Sequence, residues 1–403
     1  MQWEQILAPR MARMKASEIR ELLKLLDQPD IISFAGGIPD PRMFPVAAFQ
    51  EAMGRVLQPG SADAALQYSV SEGSAQLRRW LADHMTGIGI PCEADNILIT
   101  SGSQQALDYL GKLMIGAGDT VLVNWPTYMG ALGAFNAYEP KYDRLDPGSN
   151  RSAEDFAAVA GANGGKVKFA YLSVDFANPT GETIDRAGRE RVLQLAEELD
   201  IAIVEDAAYQ ALRYDGEPVE PILAMEIARK GSIEDCRTIY SGSFSKTLAP
   251  GLRIGWVCAA RPVINKLVLM KQAADLHSPT LNQMAVADVA ARVFDDHVAG
   301  LREAYRGRRD RMLAALEREM PEGVRWTKPE GGMFVWITLP KGMDGAELLA
   351  QAIKTERVAF VPGRAFYADG SGENTIRLSF SLNDGPAVDE GIARLARVIR
   401  AAA

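Results

Sequence analysis

One lysine, Lys246, has the clearest potential for chemistry in this sequence. It closes the segment 241–246, with the letters SGSFSK, directly after a strand-like apolar run. A lysine amine can form a Schiff base with an aldehyde, and the released amine can carry a proton between neighbouring carbons. Most lysines lie on a charged, solvated face instead. A Gly/Ser turn behind an apolar run is not such a face, so the pattern predicts a reactive amine.

Polar residues elsewhere in the chain could hold an anion. The segment 101–105 (SGSQQ) lies between a strand-like run and an apolar-faced helix, so N–H groups at the helix start would meet a phosphate there. Serines at such a place are also ordinary helix caps. Arg253 lies within the otherwise apolar run 251–257, where an arginine needs an anionic partner. The residues expected around the phosphate are Ser103, Gln104, Ser243, Ser245 and Arg253.

A cofactor that carries both an aldehyde and a phosphate, pyridoxal 5'-phosphate (PLP), explains these two sites together. Its pyridine nitrogen serves as an electron sink when protonated, and a fixed carboxylate favours the protonated form. Asp206, after the apolar run 201–205, is the candidate, with Glu205 as competitor and a helix cap as the alternative explanation. Tyr209 and Asn178 could hydrogen-bond the phenolic oxygen of the ring.

Two further residues fit a bound cofactor and an amino acid. Tyr128 could stack on the pyridine ring, although ordinary packing also explains an aromatic at this position. Arg377 lies in the β-like run 375–380, where a bare cation would be costly. Its planar guanidinium could grip the carboxylate of an α-amino acid with two hydrogen bonds. A structural salt bridge is the alternative for this arginine.

Short strand-like runs alternate with helical patterns through the middle of the chain. This alternation predicts βα units and a mainly parallel sheet. Ligands of open α/β sheets bind at the carboxyl ends of the strands. Because the polar candidates follow the strand-like runs, we expect them around one crevice. The runs are 97–100, 121–123, 167–174, 201–205 and 238–240.

The chain is expected to form an α/β protein with two domains, because 403 residues are many for a single core. Ser17 is a plausible cap for an amphipathic helix that ends before Pro29. A charged helical pattern from about Phe294, followed by β-rich segments, indicates a smaller α+β domain. The expected parts are an N-terminal segment 1–45 that packs with the small domain, a large PLP-binding domain 46–295 and a small C-terminal domain 296–403.

Composition and charge exclude several classes of protein. Hydrophobic residues make up 47% and charged residues 24%, as in soluble globular proteins. A net charge of −8 argues against nucleic-acid binding, and no apolar run suits a membrane span. Cys92, Cys236 and Cys258 are too widely spaced for a disulfide framework or a zinc cluster. We therefore expect a cytoplasmic protein with no metal, membrane or nucleic-acid partner.

Taken together, these segments resemble the class I aminotransferases of the fold-type I PLP enzymes, from Ser17 to Ser379. The resemblance is strongest to the branch that contains 2-aminoadipate (LysN-type) and kynurenine/aminoadipate aminotransferases. It implies the same roles for Lys246 and its neighbours as the residues themselves suggest. The segments that carry it are 17–24 (SEIRELLK), 33–37 (SFAGG), 66–69 (LQYS), 331–336 (GGMFVW) and 372–375 (GENT).

The resemblance also implies features that spacing does not. It implies a homodimer with shared active sites, in which Tyr68 reaches the phosphate bound by the partner subunit. It places the substrate α-carboxylate on Arg377, beside the turn that contains Gly37. In relatives, the early helix and its arginine, here Arg20, read a distal carboxylate of the substrate. An exposed arginine that pairs with nearby acids is the alternative for Arg20.

One segment departs from the pattern of this branch. Where the branch usually has a proline and a glutamine shortly before the Asn-Pro motif, residues 173–178 read SVDFAN. Asn178 itself is kept, so the departure bears on local packing and on substrate preference rather than on PLP binding.

The sequence therefore predicts a PLP-dependent aminotransferase that works by a ping-pong mechanism. The expected amino donor is 2-aminoadipate or a similar long amino acid, and the expected acceptor is 2-oxoglutarate. Aromatic, branched-chain or valine/alanine-type donors are the main alternative. A PLP lyase or decarboxylase is a rival, because PLP stabilises several carbanions. A ligand-sensing regulator is a further rival, against which the acidic balance and the short segment before Ser17 argue.

Overall fold

The computed structural model describes residues 6–14, 30–148 and 151–402. The helix predicted from Ser17, with Arg20 in it, lies outside these ranges. The strands are β1 (Ile32–Ser33), β2 (Ile97–Thr100), β3 (Thr120–Val123), β4 (Lys141–Arg144), β5 (Val167–Ser173), β6 (Ala202–Asp206), β7 (Thr238–Ser243), β8 (Gly255–Cys258), β9 (Arg325–Trp326), β10 (Phe334–Thr338), β11 (Val358–Ala359), β12 (Val361–Pro362) and β13 (Thr375–Ser379).

Helices cover these strands and connect them. The α-helices are α1 (Val46–Val56), α2 (Ala62–Leu66), α3 (Ala75–Gly87), α4 (Ser103–Met114), α5 (Met129–Asn136), α6 (Ala153–Ala162), α7 (Arg186–Leu199), α8 (Ile222–Lys230), α9 (Arg261–Ala274), α10 (Thr280–Glu319), α11 (Gly345–Thr355) and α12 (Pro386–Ala402). Within the described ranges, no helix combines the length and the apolar character that a membrane span needs.

A seven-stranded sheet with the order β2-β8-β7-β6-β5-β3-β4 forms the centre of the large body. All neighbouring pairs are parallel except the two that include β8. This confirms the predicted mainly parallel α/β sheet. The register aligns Ser173 with Asp206, Asp206 with Ser241 and Ser243 with Gly255. The carboxyl ends of the parallel strands therefore meet at one edge, as the sequence predicted, and the antiparallel β8 begins there.

A smaller α+β body contains the antiparallel sheet β12-β13-β10-β9. Both the N-terminal and the C-terminal parts of the chain contribute to this body, because β1 pairs in parallel with β11. By contrast, residues 6–14 contact the large body, where the Arg13 guanidinium donates a hydrogen bond of 2.7 Å to the carbonyl of Pro140. The segment 1–45, expected to pack with the small domain, thus has described contacts on both bodies.

Helix α10 joins the two bodies as one element of 40 residues, about 60 Å long at 1.5 Å per residue. Its Phe294 and Val298 pack in a cluster of the large body, whereas Leu301 and Tyr305 pack in the cluster of the small body. The helical pattern predicted from about Phe294 therefore begins 14 residues earlier. The proposed boundary between 295 and 296 falls inside this helix, close to the change of packing partners.

Candidate active site

Lys246 lies in the turn after β7 and is partly buried. Its Nζ donates a hydrogen bond of 3.0 Å to the carbonyl of Gly37 and lies 5.7 Å from the ring centroid of Tyr209. No carboxylate of the described residues lies within ion-pair distance of Nζ. The pKa of Lys246 is lowered to about 8, mainly by desolvation of the amine and also by the nearby cations Arg377 and Arg253, whereas the charge of Asp206 acts to raise it. Lys246 is thus placed to act as a neutral amine near pH 8.

Acetylation of the cofactor-free protein should reveal this lowered pKa. Only the neutral amine attacks acetic anhydride, so the reactivity of Lys246 should rise with pH to a plateau with a midpoint near pH 8. In the urea-unfolded chain the midpoint should return to about 10.4, the ordinary value for lysine. Mass spectrometry of the peptide that contains Lys246 measures both curves. A midpoint above pH 10 in the folded protein would contradict the environment described above.

Asp206 and Glu205 end strand β6, and they face different surroundings. Asp206 accepts a hydrogen bond of 2.7 Å from the Tyr171 hydroxyl and one of 3.3 Å from the Ala208 N–H. Burial raises the pKa of Asp206, while Tyr171, Ala208 and the charge of Lys246 act to lower it. Glu205 instead accepts from the first N–H groups of α8, at 2.8 and 3.0 Å. The competitor for the cofactor role is therefore engaged as a helix cap.

Tyr171 was missed by the sequence analysis, which saw only a strand-like run from 167 to 174. The residue is fully buried in β5, next to Val204 of β6 in the sheet. Its hydroxyl fixes one oxygen of the Asp206 carboxylate. A tyrosine inside an apolar strand needs a buried polar partner, and that need is the signal that could have identified it.

Arg377 is a buried cation in β13, with 1% of its surface exposed. One terminal nitrogen donates to the side-chain oxygen of Asn178 at 2.7 Å, and the other donates to the carbonyl of Ala35 at 2.8 Å. The rings of Phe334 and Phe366 lie 4.3 and 5.1 Å from the guanidinium carbon. Burial lowers the pKa of Arg377 to about 10.

This arginine has no carboxylate partner among the described residues, so the structural salt bridge that was its alternative explanation is not found there. Its Nε is buried without a hydrogen-bond partner. A buried charge that lacks a counter-ion is costly. Arg377 is therefore suited to a carboxylate supplied by a ligand.

Gly37 and Asn178 lie between the lysine and the arginine. The carbonyl of Gly37 accepts from Lys246, and a Cβ at Gly37 would lie 2.8 Å from the ring of Phe334 and 3.5 Å from Arg377. Asn178, which accepts from Arg377, also hydrogen-bonds Tyr209. These contacts bring Gly37, Asn178, Tyr209, Lys246 and Arg377 into one site.

The predicted phosphate residues lie around the start of helix α4. Gly102 precedes the helix with φ 82°, and a Cβ there would lie 2.2 Å from the Arg253 guanidinium. The two residues therefore meet at the first turn, where the N–H groups of Ser103 and Gln104 have no acceptor within the helix. The side-chain amide of Gln104 donates to the carbonyl of Gly130 at 2.7 Å. Across the strand ends, the hydroxyls of Ser243 and Ser245 are 2.9 Å apart.

The surroundings of Arg253 differ from the expectation. The apolar run 251–257 is not one strand, because β8 begins only at Gly255. Arg253 lies in the turn before β8, with φ 55°, and its side chain is exposed. Its guanidinium donates to the carbonyls of Pro250, at 3.1 Å, and Ser101, at 3.4 Å. Both partners are neutral, so the arginine keeps its charge available to an anion.

Tyr128 and Tyr68 are placed differently from these residues. Tyr128 is half-buried before helix α5, and a Cβ at Gly130 would lie 2.3 Å from its ring. Its charge interactions with Tyr209 and Arg377 place it beside the site. Tyr68 is 78% exposed and meets the ring of His277 edge-on at 6.0 Å. The Tyr68 side chain thus faces out of its own chain.

The arrangement fits PLP in its chemistry. It provides a partly buried amine for the aldehyde, a buried carboxylate for the pyridine nitrogen, and a helix start beside Arg253 for the phosphate. Arg377, with its unpartnered Nε, provides a separate place for a carboxylate.

Comparison with known proteins gives the same assignment. The family model for class I and II aminotransferases matches residues 30–395. The chain is 45% identical to aromatic-amino-acid aminotransferase 1 of Thermococcus litoralis, over 99% of this chain and 95% of that protein. It is 42% identical to the 2-aminoadipate transaminase of Thermus thermophilus, over 99% and 98% of the two chains.

A solved structure of the Pyrococcus horikoshii kynurenine aminotransferase, in complex with PMP, has a TM-score of 0.90 and 42% identity. The match covers 99% of this chain and 98% of that one. Both the structural similarity and the sequence thus agree with fold-type I. This chain belongs to the class I and II aminotransferases, enzymes that use pyridoxal 5'-phosphate.

Proposed function

We propose that this aminotransferase moves the amino group of 2-aminoadipate, or of a similar long amino acid, to 2-oxoglutarate by a ping-pong mechanism. The observation that carries the proposal is the placement of the partly buried Lys246 and the buried Arg377 on either side of Gly37. No carboxylate of the described residues lies within ion-pair distance of either cation. An amine for the chemistry and a guanidinium for a carboxylate are what an α-amino acid requires.

Each predicted residue has a proposed task toward the cofactor. When bound, PLP supplies an electron sink for negative charge at the substrate α-carbon. Asp206, held by Tyr171, would keep the pyridine nitrogen protonated, and Asn178 and Tyr209 would hydrogen-bond the phenolic oxygen. Tyr128 would pack on the ring. The phosphate would be held by Ser103, Gln104, Ser243, Ser245 and Arg253.

The chain's own groups would then direct the reaction. Arg377 would orient the substrate through its α-carboxylate, so that the bond to the α-hydrogen points toward Lys246. Lys246, neutral above a pKa of about 8, would accept that proton and return it to the neighbouring carbon. Phe334 and Phe366 flank the guanidinium and would exclude water from its contact with the carboxylate.

We also propose a homodimer with shared active sites, in the cytoplasm. The exposure of Tyr68 supports the first part, because a side chain that faces out of its own chain is free to reach a partner. In that arrangement the Tyr68 hydroxyl would bind the phosphate in the partner subunit's site.

Aromatic donors are the second candidate function, because the Thermococcus litoralis relative is named for them. Absorbance of the PLP-loaded enzyme with single donors and no acceptor distinguishes the two. Conversion of the cofactor to PMP should be fastest with 2-aminoadipate and slower with glutamate, leucine and phenylalanine. Fastest conversion with phenylalanine would replace the aminoadipate assignment, and no conversion with any donor would point to a sensor or to another PLP reaction.

The residue proposed to select a second carboxylate is Arg20, which lies outside the described residues. Replacing it in Arg20→Ala should slow the half-reaction with 2-aminoadipate and glutamate by roughly tenfold, the effect of losing one charged hydrogen bond. The half-reaction with leucine should change little, and it serves as the internal control. Equal losses for both donor classes would show that the arginine is structural.

A further inference from the structure

An ion pair between the buried Lys271 and the partly exposed Asp275 lies next to the proposed phosphate site. Lys271, near the end of helix α9, is 0% exposed, and its amine lies 3.0 Å from the carboxylate of Asp275. The hydroxyl of Tyr109 on α4 also donates to this carboxylate, at 3.4 Å. A pair at positions i and i+4 can simply close a helix end. Here, however, its contacts extend beyond its own helix.

Both members of the pair reach Gln105, in the first turn of α4. The Lys271 amine donates to the Gln105 side-chain oxygen at 2.8 Å, and the Gln105 amide donates to Asp275 at 2.7 Å. The same Gln105 oxygen accepts the backbone N–H of Ser101 at 2.9 Å. The pair therefore fixes the side chain that holds the turn before the helix.

Ser101 is the point where these contacts meet the phosphate residues. Its hydroxyl donates to Asp275 at 3.1 Å and lies 3.0 Å from the hydroxyl of Ser278. Its carbonyl, in turn, accepts from the Arg253 guanidinium. Ser101 thus contacts the ion pair through its hydroxyl and Arg253, the arginine proposed to bind the phosphate, through its carbonyl.

We propose that the Lys271–Asp275 ion pair is a positioning element for the phosphate of PLP, acting through Gln105 and Ser101. This rests on the proposed phosphate site at the start of α4. Gly102 has φ 82° and no side chain that could hold the turn. The conformation of this turn therefore depends on contacts made by the neighbouring residues. The pair sets where the first N–H groups of α4 point and where the Ser101 carbonyl holds Arg253. Neither Lys271 nor Asp275 needs to touch the cofactor.

The test compares ligands that share or lack the phosphate. Dissociation constants of the cofactor-free protein are measured for PLP, for pyridoxal and for inorganic phosphate, by equilibrium dialysis, in Asp275→Asn and Ser101→Ala. The Ser101 variant removes only a hydroxyl and decides the question if the Asp275 variant does not fold. We expect PLP and inorganic phosphate to bind about tenfold more weakly, as the loss of hydrogen bonds to a charged group implies, and pyridoxal to bind within twofold of the wild type.

Asp288→Asn is the matched control, because Asp288 forms an i, i+4 ion pair with Arg292 on α10 without contacting Ser101. It should leave all three constants unchanged. Equal weakening of PLP and pyridoxal would show a merely structural role and overturn the proposal, as would unchanged PLP binding in the folded variants. If the wild type itself bound PLP no better than pyridoxal, the proposed phosphate site at α4 would also be wrong. The wild-type constants therefore test the phosphate site, and the variants test the role of the ion pair.

Discussion

Replacing Lys246 with alanine is expected to lower the rate of transamination by roughly four orders of magnitude or more, because the variant loses both a nucleophile and a proton carrier. No other lysine takes its place, since among the described residues Lys246 is the lysine whose amine meets Gly37 and Tyr209. The carboxylate of Asp206, which accepts a hydrogen bond from Tyr171, cannot replace the amine as a nucleophile. The loss should therefore fall on the chemical step rather than on substrate affinity.

Single-turnover conversion of the cofactor to PMP by 2-aminoadipate measures this step directly. Lys246→Arg keeps the charge but removes a readily neutralised amine, so it should be almost as slow as the alanine variant. The exposed Lys166, changed to alanine, is the control and should convert at the wild-type rate. Conversion by Lys246→Ala within tenfold of the wild type would remove Lys246 from the proposed mechanism.

Much of the fold was predictable from the sequence, because parallel strands that are buried on both faces consist of short apolar runs. The run 97–100 coincides with β2, and the others lie within a few residues of the observed strands. The position of the polar residues could then be predicted as well, since the carboxyl ends of parallel strands lie at one edge of the sheet. This is why residues from five distant segments could be assigned to one crevice before any contact was known.

Contacts that depend on tertiary packing were not predictable in the same way. The start of α10 was placed too late, because the apolar residues of its first turns face the large body and those after Leu301 face the small body. One helix that serves two cores has no single periodic face. Tyr171 was missed for a related reason, since a strand pattern does not show which neighbouring strand offers a polar partner.

The departure at residues 173–178 shows how this chain packs its own version of the motif. Asp175 is buried and forms an ion pair of 2.8 Å with the fully buried Arg189. Phe176 has φ 50°, and a Cβ at Gly332 would lie 2.5 Å from its side chain. The turn is thus held from both sides immediately before Asn178. Altered packing relative to the branch and an effect on substrate preference both stay predictions.

Replacing Arg377 with methionine should selectively weaken the use of donors that carry an α-carboxylate. The guanidinium has two neutral partners and an unpartnered Nε, so its charge is available to a carboxylate of the substrate. Loss of a buried charged hydrogen bond costs about 2–5 kcal/mol, which corresponds to roughly 30-fold to several thousand-fold in kcat/KM. Methionine occupies similar volume without a charge, so we expect the variant to fold.

A pair of donors separates carboxylate recognition from every other role of Arg377. The value of kcat/KM for phenylalanine should fall in Arg377→Met by the factor given above, whereas that for 2-phenylethylamine, which lacks the carboxylate, should stay nearly constant. Arg309→Lys is the matched control, because Arg309 is a buried arginine already paired with Asp215 and Asp310. Equal losses with both donors would mean that Arg377 supports the fold of the site. A loss confined to phenylalanine would locate the α-carboxylate on this guanidinium, because the two donors differ in no other group.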